Sequence, residues 1–304
     1  MVLRAIHRTA YRYSMPSIDS HNEVRLMPLT DDSQSCSEFQ LRVNPTTKVF
    51  SYDEPGGVVH HFGLRSAHPF LEIVAEGVVE TFLENPYEGL NLLDPDFSFY
   101  ELESTKQQYA EFLTESPYVS LNDEVAEIAQ AAKSESNGAA ADFLRRLTRW
   151  IYESLEYDTD VTHVHTKLNE VLALRAGVCQ DFAHLMIACC RRLGMPARYV
   201  SGYLFVHTDD DLRGHQATHA WVDCLLPSGR WLSLDPTNDL LANDRYIRIH
   251  TGRDYSDVTP TRGVYVGVPA SELSVSVRVD LVDSTALAAS GYGTKPASIY
   301  GEAV

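Results

Sequence analysis

Cys179 stands directly after Gly177-Val178 and ahead of Phe182, Leu185, Met186, Cys189, Cys190 and Leu193, apolar positions spaced as one face of a helix. Gly194 and Pro196 close the run, so the spacing predicts a buried helix that begins at Cys179. A thiol attacks a carbonyl as its thiolate, and the unpaired N–H groups and dipole of a helix's first turn favour that anion. Cys189 and Cys190 lie on the apolar stripe and read as core, and Cys36 and Cys224 lie in predicted strands. Cys179 is therefore the candidate nucleophile.

A nucleophilic thiol needs a base, and the base needs an orienting group. THAWVDCLL and RWLSL read as strands joined by Pro227-Ser228-Gly229, which has the chemistry of a tight hairpin loop. If Leu226 and Arg230 pair across that loop, Asp235 falls opposite Trp221, diagonal to His219 and on the same sheet face. An imidazole–carboxylate hydrogen bond is then geometrically natural: Asp235 would fix the tautomer of His219, and His219 would hold Cys179 as thiolate and later protonate a leaving group. Spacing alone leaves equally open that His219 is a satisfied strand histidine and that Asp235 merely opens a turn before Pro236.

Other polar groups invite chemistry less strongly. Tyr157, in LEYDTD, is either a phenolic donor to an oxyanion or half-buried packing. Gln180 and Asp181 fall in the first turn of the predicted helix, where they would support the site; capping accounts for Asp181 without catalysis. In GRDYSDVTPTRG, Asp254, Tyr255 and Asp257 either line a cleft or belong to a solvated loop; with Trp221 they are the candidate substrate contacts. His163 and His165 alternate like ligands on one strand face but have no partners to complete a set, and His60-His61 would point to opposite faces. His184 falls off the apolar stripe, which suits a surface or local hydrogen-bonding role. Asp209-Asp210-Asp211 lacks the alternating spacing of a calcium loop. No metal and no cofactor is expected.

The elements that must position these groups separate along the chain. From Val2 to Phe82, short β-rich runs such as LRAIHRTAYRY, EVRLM and FLEIVAEGVVETF alternate with turn clusters, predicting an all-β, sandwich-like domain over residues 1–84. Residues 85–120 are acidic and broken by Pro86, Pro95 and Pro117, as a linker would be. Helical stripes then appear at Val125, Ile128 and Ala129 and from Phe143 to Leu155, followed by strands, so residues 121–283 read as a second, α+β domain. RYIRIH and LSVSVRVDLV are expected to extend its sheet, and residues 284–304, rich in Ala, Ser and Gly, to form a loose tail.

With 304 residues the chain is long enough for two cores, and its net charge of −17 has the wrong sign for clamping phosphates, so no nucleic acid partner is expected. No apolar run is long enough to span a bilayer, and the N-terminus lacks an uninterrupted signal-like segment. Five cysteines without a C-x-x-C pair support neither a disulfide framework nor structural zinc. A cytoplasmic protein without a membrane partner fits best, and its oligomeric state is not legible.

RAGVCQDFAHLMIACCRRLGMPARYVSGY followed by HAWVDCLLPSGRWLSLDPTND strongly resembles the core of the transglutaminase-like superfamily, in its bacterial cysteine-peptidase-like branch. The opening strands, with IHRTAYRYS and EVRLMP, are similar to the β-rich domain that accompanies that core, and GRDYSDVTPTRGVYVG to the segment after it. The resemblance implies a papain-like arrangement of helices packed on an antiparallel sheet. It also implies Cys179 as nucleophile, His219 in the HAW word as base and Asp235 in the DPT word as orienting acid, all three unsubstituted. The implied reaction is acyl-enzyme chemistry on a peptide, amide or ester, resolved by water or by an amine acceptor. A cysteine hydrolase is the leading expectation; a transglutaminase-type acyltransferase and a non-catalytic peptide-binding protein of the same fold are the alternatives.

Overall fold

In the computed structural model, which describes residues 1–282 apart from 89, 91–96, 208–209, 215–217 and 268–269, the chain forms two packed units. The expected tail, 284–304, lies outside the described residues. The N-terminal unit contains β1 (Val2–Val24), β2 (Gln34–Asn44), β3 (Phe50–Glu54), β4 (Gly57–Leu64) and β5 (His68–Thr81). β1 is the spine: residues 2–12 pair with β5, and residues 20–24 pair with β4, with the ladder interrupted between. The strand thus passes from one layer to another, and the two layers close on Val24, Phe62, Leu64, Leu71, Ile73 and Ala75. This is the alternation of inward apolar and outward polar residues expected of a β-sandwich.

The second unit continues with α1 (Glu103–Gln108), α2 (Asp123–Glu135), α3 (Ala140–Ser154), β6 (Glu156–Tyr157), α4 (Leu168–Leu174), β7 (Ala176–Gly177) and α5 (Cys179–Arg192). After them come β8 (Ala197–Leu204), β9 (His219–Leu225), β10 (Trp231–Asp235), β11 (Leu240–Leu241) and β12 (Tyr246–Gly252). Asn122 caps α2 by accepting the Val125 N–H at 2.9 Å, and Asp123 and Glu124 occupy its first turn, where they oppose the positive end of the dipole. Phe143, Leu144, Leu147 and Ile151 form the buried face of α3. α5 is enclosed on all sides, with every residue from Cys179 to Arg191 buried, by α2 and α3 on one side and β8 and β9 on the other. The sheet order is β11-β10-β9-β8-β12, antiparallel throughout, so β9 and its first residue His219 lie at the centre.

Two expectations about organisation are corrected. RYIRIH, as β12, does extend the core sheet beside β8, but LSVSVRVDLV does not: it forms most of β14 (Ala270–Leu281), which pairs with β1 over Leu3–Tyr13. After α6 (Tyr255–Val258) the chain crosses back, and β13 (Thr261–Val266) likewise pairs with β1. Strand alternation identifies a strand without naming its partner, and the free edge of β1 is the one these strands reach. The stretch expected as a linker packs into the second unit: Phe97, Tyr100 and Val119 are buried in its core, and the Tyr100 hydroxyl donates to the Leu225 carbonyl at 2.8 Å.

The units meet through Leu3, Ala5 and Val79 on one side and Tyr203, Phe205, Ile247 and Ile249 on the other. Buried Gln34 stitches the seam, donating to the carbonyls of Leu29 and Arg248 at 2.7 and 2.9 Å and accepting the Arg248 N–H at 2.7 Å. Among the described residues no helix is long and apolar enough to cross a membrane.

Candidate active site

The start of α5 is set by a five-residue word, Gly177-Val178-Cys179-Gln180-Asp181. Asp181 folds back so that its carboxylate accepts the Val178 N–H at 2.9 Å and the Thr162 hydroxyl at 2.8 Å, satisfying one of the donors a helix start leaves open. Burial pushes the Asp181 carboxyl up, and those donors oppose the shift. Gly177 makes room: a Cβ there would lie 2.6 Å from the Asp181 carboxylate. On its other side Gly177 pairs in parallel with Tyr157, since β6 and β7 match Glu156 with Ala176 and Tyr157 with Gly177. The same two-residue ladder therefore holds Tyr157 beside the turn that carries Cys179.

His219 and Asp235 come together as the hairpin register requires. The Leu226 N–H donates to the Arg230 carbonyl at 2.8 Å, Leu234 is matched with Val222, and Asp235 follows at the end of β10. His219 Nε2 lies 2.7 Å from Asp235 Oδ2, both side chains fully buried. Asp235 also accepts from Asn238 Nδ2 at 2.7 Å, the Tyr246 hydroxyl at 2.8 Å and the Thr237 N–H at 2.9 Å. Burial alone would raise its carboxyl, but His219, Asn238 and Tyr246 hold it below the usual carboxylate range. For His219, burial would lower the imidazole; the Asp235 carboxylate, and after it Cys179, outweigh burial and raise it to about 10. Nε2 is therefore the protonated nitrogen facing Asp235. Cys179 acts on the ring too, although Nδ1 makes no hydrogen bond of ordinary geometry among the described residues.

Three phenols belong to the same packed cluster as Cys179. Tyr157 and Tyr255 are each pushed up to about 12, burial first with Cys179 adding, and buried Tyr199 is raised by the same causes. All three keep their protons at neutral pH. Gln180 is buried with its side-chain amide 3.4 Å from the Val164 carbonyl, a long contact that holds it against the loop preceding α4.

The remaining candidate contacts divide. Trp221 is fully buried, its indole edge-on to Tyr246 and behind Gly202, where a Cβ would lie 2.3 Å from it, and it packs against the His219 ring at 6.1 Å. Asp254 is buried as the cap of α6 and accepts the Tyr118 N–H at 2.8 Å, and Asp257, partly exposed, pairs with Arg253 at 2.8 Å. Tyr255 packs edge-on against Tyr118 at 5.9 Å and Tyr199 at 6.4 Å. His184 is buried, not superficial: it stacks on Tyr118 at 5.2 Å, accepts the Tyr255 N–H at 3.2 Å, and burial lowers it to about 3.

His163 and His165 sit in a turn, and among the described residues no cluster of three His, Cys, Asp or Glu side chains is arranged to hold a metal. Asp210 pairs with Arg245, and Asp209 lies outside the described residues. Cys36 is half-buried with its thiol pushed up to about 11, while Cys190 and Cys224 face each other as free thiols 3.6 Å apart in the core.

Three positions escaped the sequence reading. Asn238 bridges Asp235 to the Arg213 backbone, accepting the Arg213 N–H at 2.8 Å and donating to its carbonyl at 3.2 Å. Tyr246 reaches Asp235 from β12. Gly214, at φ +78°, covers the imidazole so closely that a Cβ would lie 2.4 Å from His219 Nδ1. Asn238 stands within the DPTND word and could have been suspected as a third polar partner; the other two carry no local signal.

Residues 125–236 match the transglutaminase-like superfamily model, and residues 3–80 match the bacterial transglutaminase-like N-terminal region. The chain is 34% identical over 284 residues to an uncharacterised Mycobacterium leprae protein, covering 91% of this chain and 98% of that one. It is 36% identical over 298 residues to an uncharacterised Mycobacterium tuberculosis protein, covering 93% and 94%. A segment of 74 residues is 38% identical to a Pseudomonas aeruginosa protein-glutamine gamma-glutamyltransferase, 21% of this chain and 10% of that protein. A solved structure of a suspected cysteine protease from Cytophaga hutchinsonii superposes with a TM-score of 0.71 at 22% identity, over 93% of this chain and 92% of that one.

Proposed function

The chain belongs to the transglutaminase-like superfamily, and from that membership and the geometry of its buried triad we propose that it is a cysteine hydrolase of peptides or amides. The reading rests chiefly on one observation: the buried Asp235 carboxylate holds His219 Nε2 at 2.7 Å on β9, the strand against which the buried helix headed by Cys179 packs. In the proposed cycle the Cys179 sulfur, as thiolate, forms a bond to the substrate carbonyl carbon, and the carbonyl electrons move onto oxygen. The first-turn N–H groups of α5 stabilise that oxyanion, with the protonated Tyr157 hydroxyl as the proposed second donor. When the oxyanion collapses the C–N bond breaks, and the departing amine takes a proton from the His219 imidazolium. Water then attacks the thioester, His219 accepts its proton, and the C–S bond breaks to release the acid and restore the thiolate.

Water as acceptor needs no second binding site, so hydrolysis requires the fewest further groups. Acyl transfer to an amine uses the same thioester, and the segment shared with the glutamyltransferase favours it as the second reading. Intact-mass analysis of wild type and Cys179→Ala after incubation with activated peptide esters and amides tests the proposal. An adduct on wild type alone supports the acyl-enzyme, and its release rate by water against added amine separates hydrolase from transferase. No adduct with any member of a broad series would favour a peptide-binding protein that keeps the fold.

A further inference from the structure

β14 is an edge strand whose one partner among the described residues is β1. Every residue from Glu272 to Ser276 is exposed, and Leu273 (58%) and Val275 (42%) are among the exposed large apolar side chains. Soluble proteins commonly protect such edges with Pro, Lys, a bulge or a short strand. β14 runs for 12 residues without Pro or Lys, and its one irregularity lies at its very start, beside Arg12 and Tyr13.

The backbone phase shows which groups are free. The Val282 N–H donates to the Val2 carbonyl at 2.8 Å, and in an antiparallel ladder such bonded pairs recur at every second residue. With Ile6 opposite Arg278, Arg8 opposite Ser276 and Ala10 opposite Ser274, the even-numbered residues of β14 direct their N–H and C=O groups to β1. Leu273, Val275 and Val277 turn theirs outward. Their side chains continue the face on which Leu3 and Ala5 are buried, whereas Glu272 and Arg278 share the opposite face with the Arg4–Glu76 and Arg8–Glu72 ion pairs.

The geometry points to a second copy of this chain as the partner of that edge, with two β14 strands pairing antiparallel about a two-fold axis at Val275. In this register Val275 meets its own copy, Leu273 meets the partner's Val277 and Glu272 meets the partner's Arg278. Each of Leu273, Val275 and Val277 exchanges both backbone hydrogen bonds with its opposite, and the two sheets become continuous. Glu272 already lies 3.7 Å from Arg12, and Arg278 lies 2.8 Å from Asp280, so pairing strings four alternating charges into one row. The register is specified: centring on Ser276 would set Glu272 against the partner's Asp280, and centring on Arg278 would set two guanidinium groups together.

Sedimentation of the full chain across a concentration series tests this. Wild type is expected to show a reversible monomer–dimer equilibrium. Val275→Pro deletes an outward N–H that no hydrogen bond among the described residues uses, at an edge position where proline is tolerated, and should give a folded monomer by circular dichroism. Glu272→Arg and Arg278→Glu should each raise the dimer dissociation constant at least about tenfold, because each change enters the interface twice. The double exchange Glu272→Arg/Arg278→Glu should restore wild-type association. This exchange carries the test if the proline variant fails to fold. A wild type that stays monomeric throughout, or a dimer indifferent to all of these changes, overturns the proposal.

Discussion

At the residue scale the site depends on charges buried together. Asp235 accepts four hydrogen bonds, one of them from His219. Replacing it by Asn keeps the shape but removes the anion that holds the imidazole up. Asp235→Asn is therefore expected to cut kcat/KM by roughly 10³- to 10⁴-fold on any substrate identified by the mass assay, as losing the orienting acid does in other triads. Alkylation supplies a substrate-free readout. Iodoacetamide should modify Cys179 faster than the other four cysteines, and His219→Ala should erase the difference.

The pH dependence of stability follows from the same pair. The folded His219 value of about 10 lies above its ordinary 6.5, so its contribution is complete below about 6.5 and is lost as pH rises through 10. Asp235 is depressed, so its contribution is present above the ordinary carboxylate value and is lost as pH falls through the folded one. Thermal melts of wild type should lose more stability than His219→Gln between neutral pH and pH of about 10. Equal losses would mean that the pair is not charged in the fold. Cys179, His219 and Asp235 stood out in their sequence words, and the fold brings His219 and Asp235 within hydrogen-bonding distance. The face of Trp221 was legible too, since it alternates with His219, but its complete burial was not, because a strand pattern does not show what covers a face.

At the element scale the site depends on two glycines. Gly177→Ala would drive a Cβ into the Asp181 carboxylate that caps α5. A loss of about 1–2 kcal/mol in urea unfolding is expected, the range for a lost helix cap, together with slower alkylation of Cys179. Gly214→Ala should behave differently, because the clash falls on the imidazole and Gly214 itself is only half-buried. The expected outcome is a roughly 100-fold or greater loss of kcat/KM, out of proportion to the about 1–2 kcal/mol that an alanine at φ +78° costs in stability, since small misplacements of catalytic groups are costly. A variant that lost stability and activity in proportion would instead assign Gly214 a folding role. The hairpin from β9 to β10 was legible because Pro227-Ser228-Gly229 fixes its register, and α5 because its apolar spacing is complete. Gly214 was not, since a loop's closeness to a strand residue has no periodic signature. The partner of β14 was missed for a related reason: neighbouring strands pair most often, but here the chain crosses through α6 to the far side of β1.

At the scale of the whole molecule, the return of β13 and β14 to β1 makes the N-terminal unit discontinuous in sequence, so neither unit is complete when cut near residue 84. The seam adds a second tie. Leu3 and Ala5 cover Tyr203 and Ile247, and Gln34 grips the backbone of Arg248, two residues from the Tyr246 that holds Asp235. The two units should therefore unfold together. The three tryptophans, Trp150, Trp221 and Trp231, all lie in the second unit, while most of the strand signal comes from the first. Tryptophan fluorescence thus follows the second unit alone, whereas far-ultraviolet circular dichroism sums the helices of that unit with the strands of both. In urea their transitions should coincide, the mark of one cooperative unit. Leu3→Ala opens a cavity at the seam and should lower both midpoints together, at a cost of about 2–5 kcal/mol. If the circular dichroism midpoint moved alone, the seam would be a weak contact between independent domains, and the support of Asp235 through β12 would have to come from the second unit by itself.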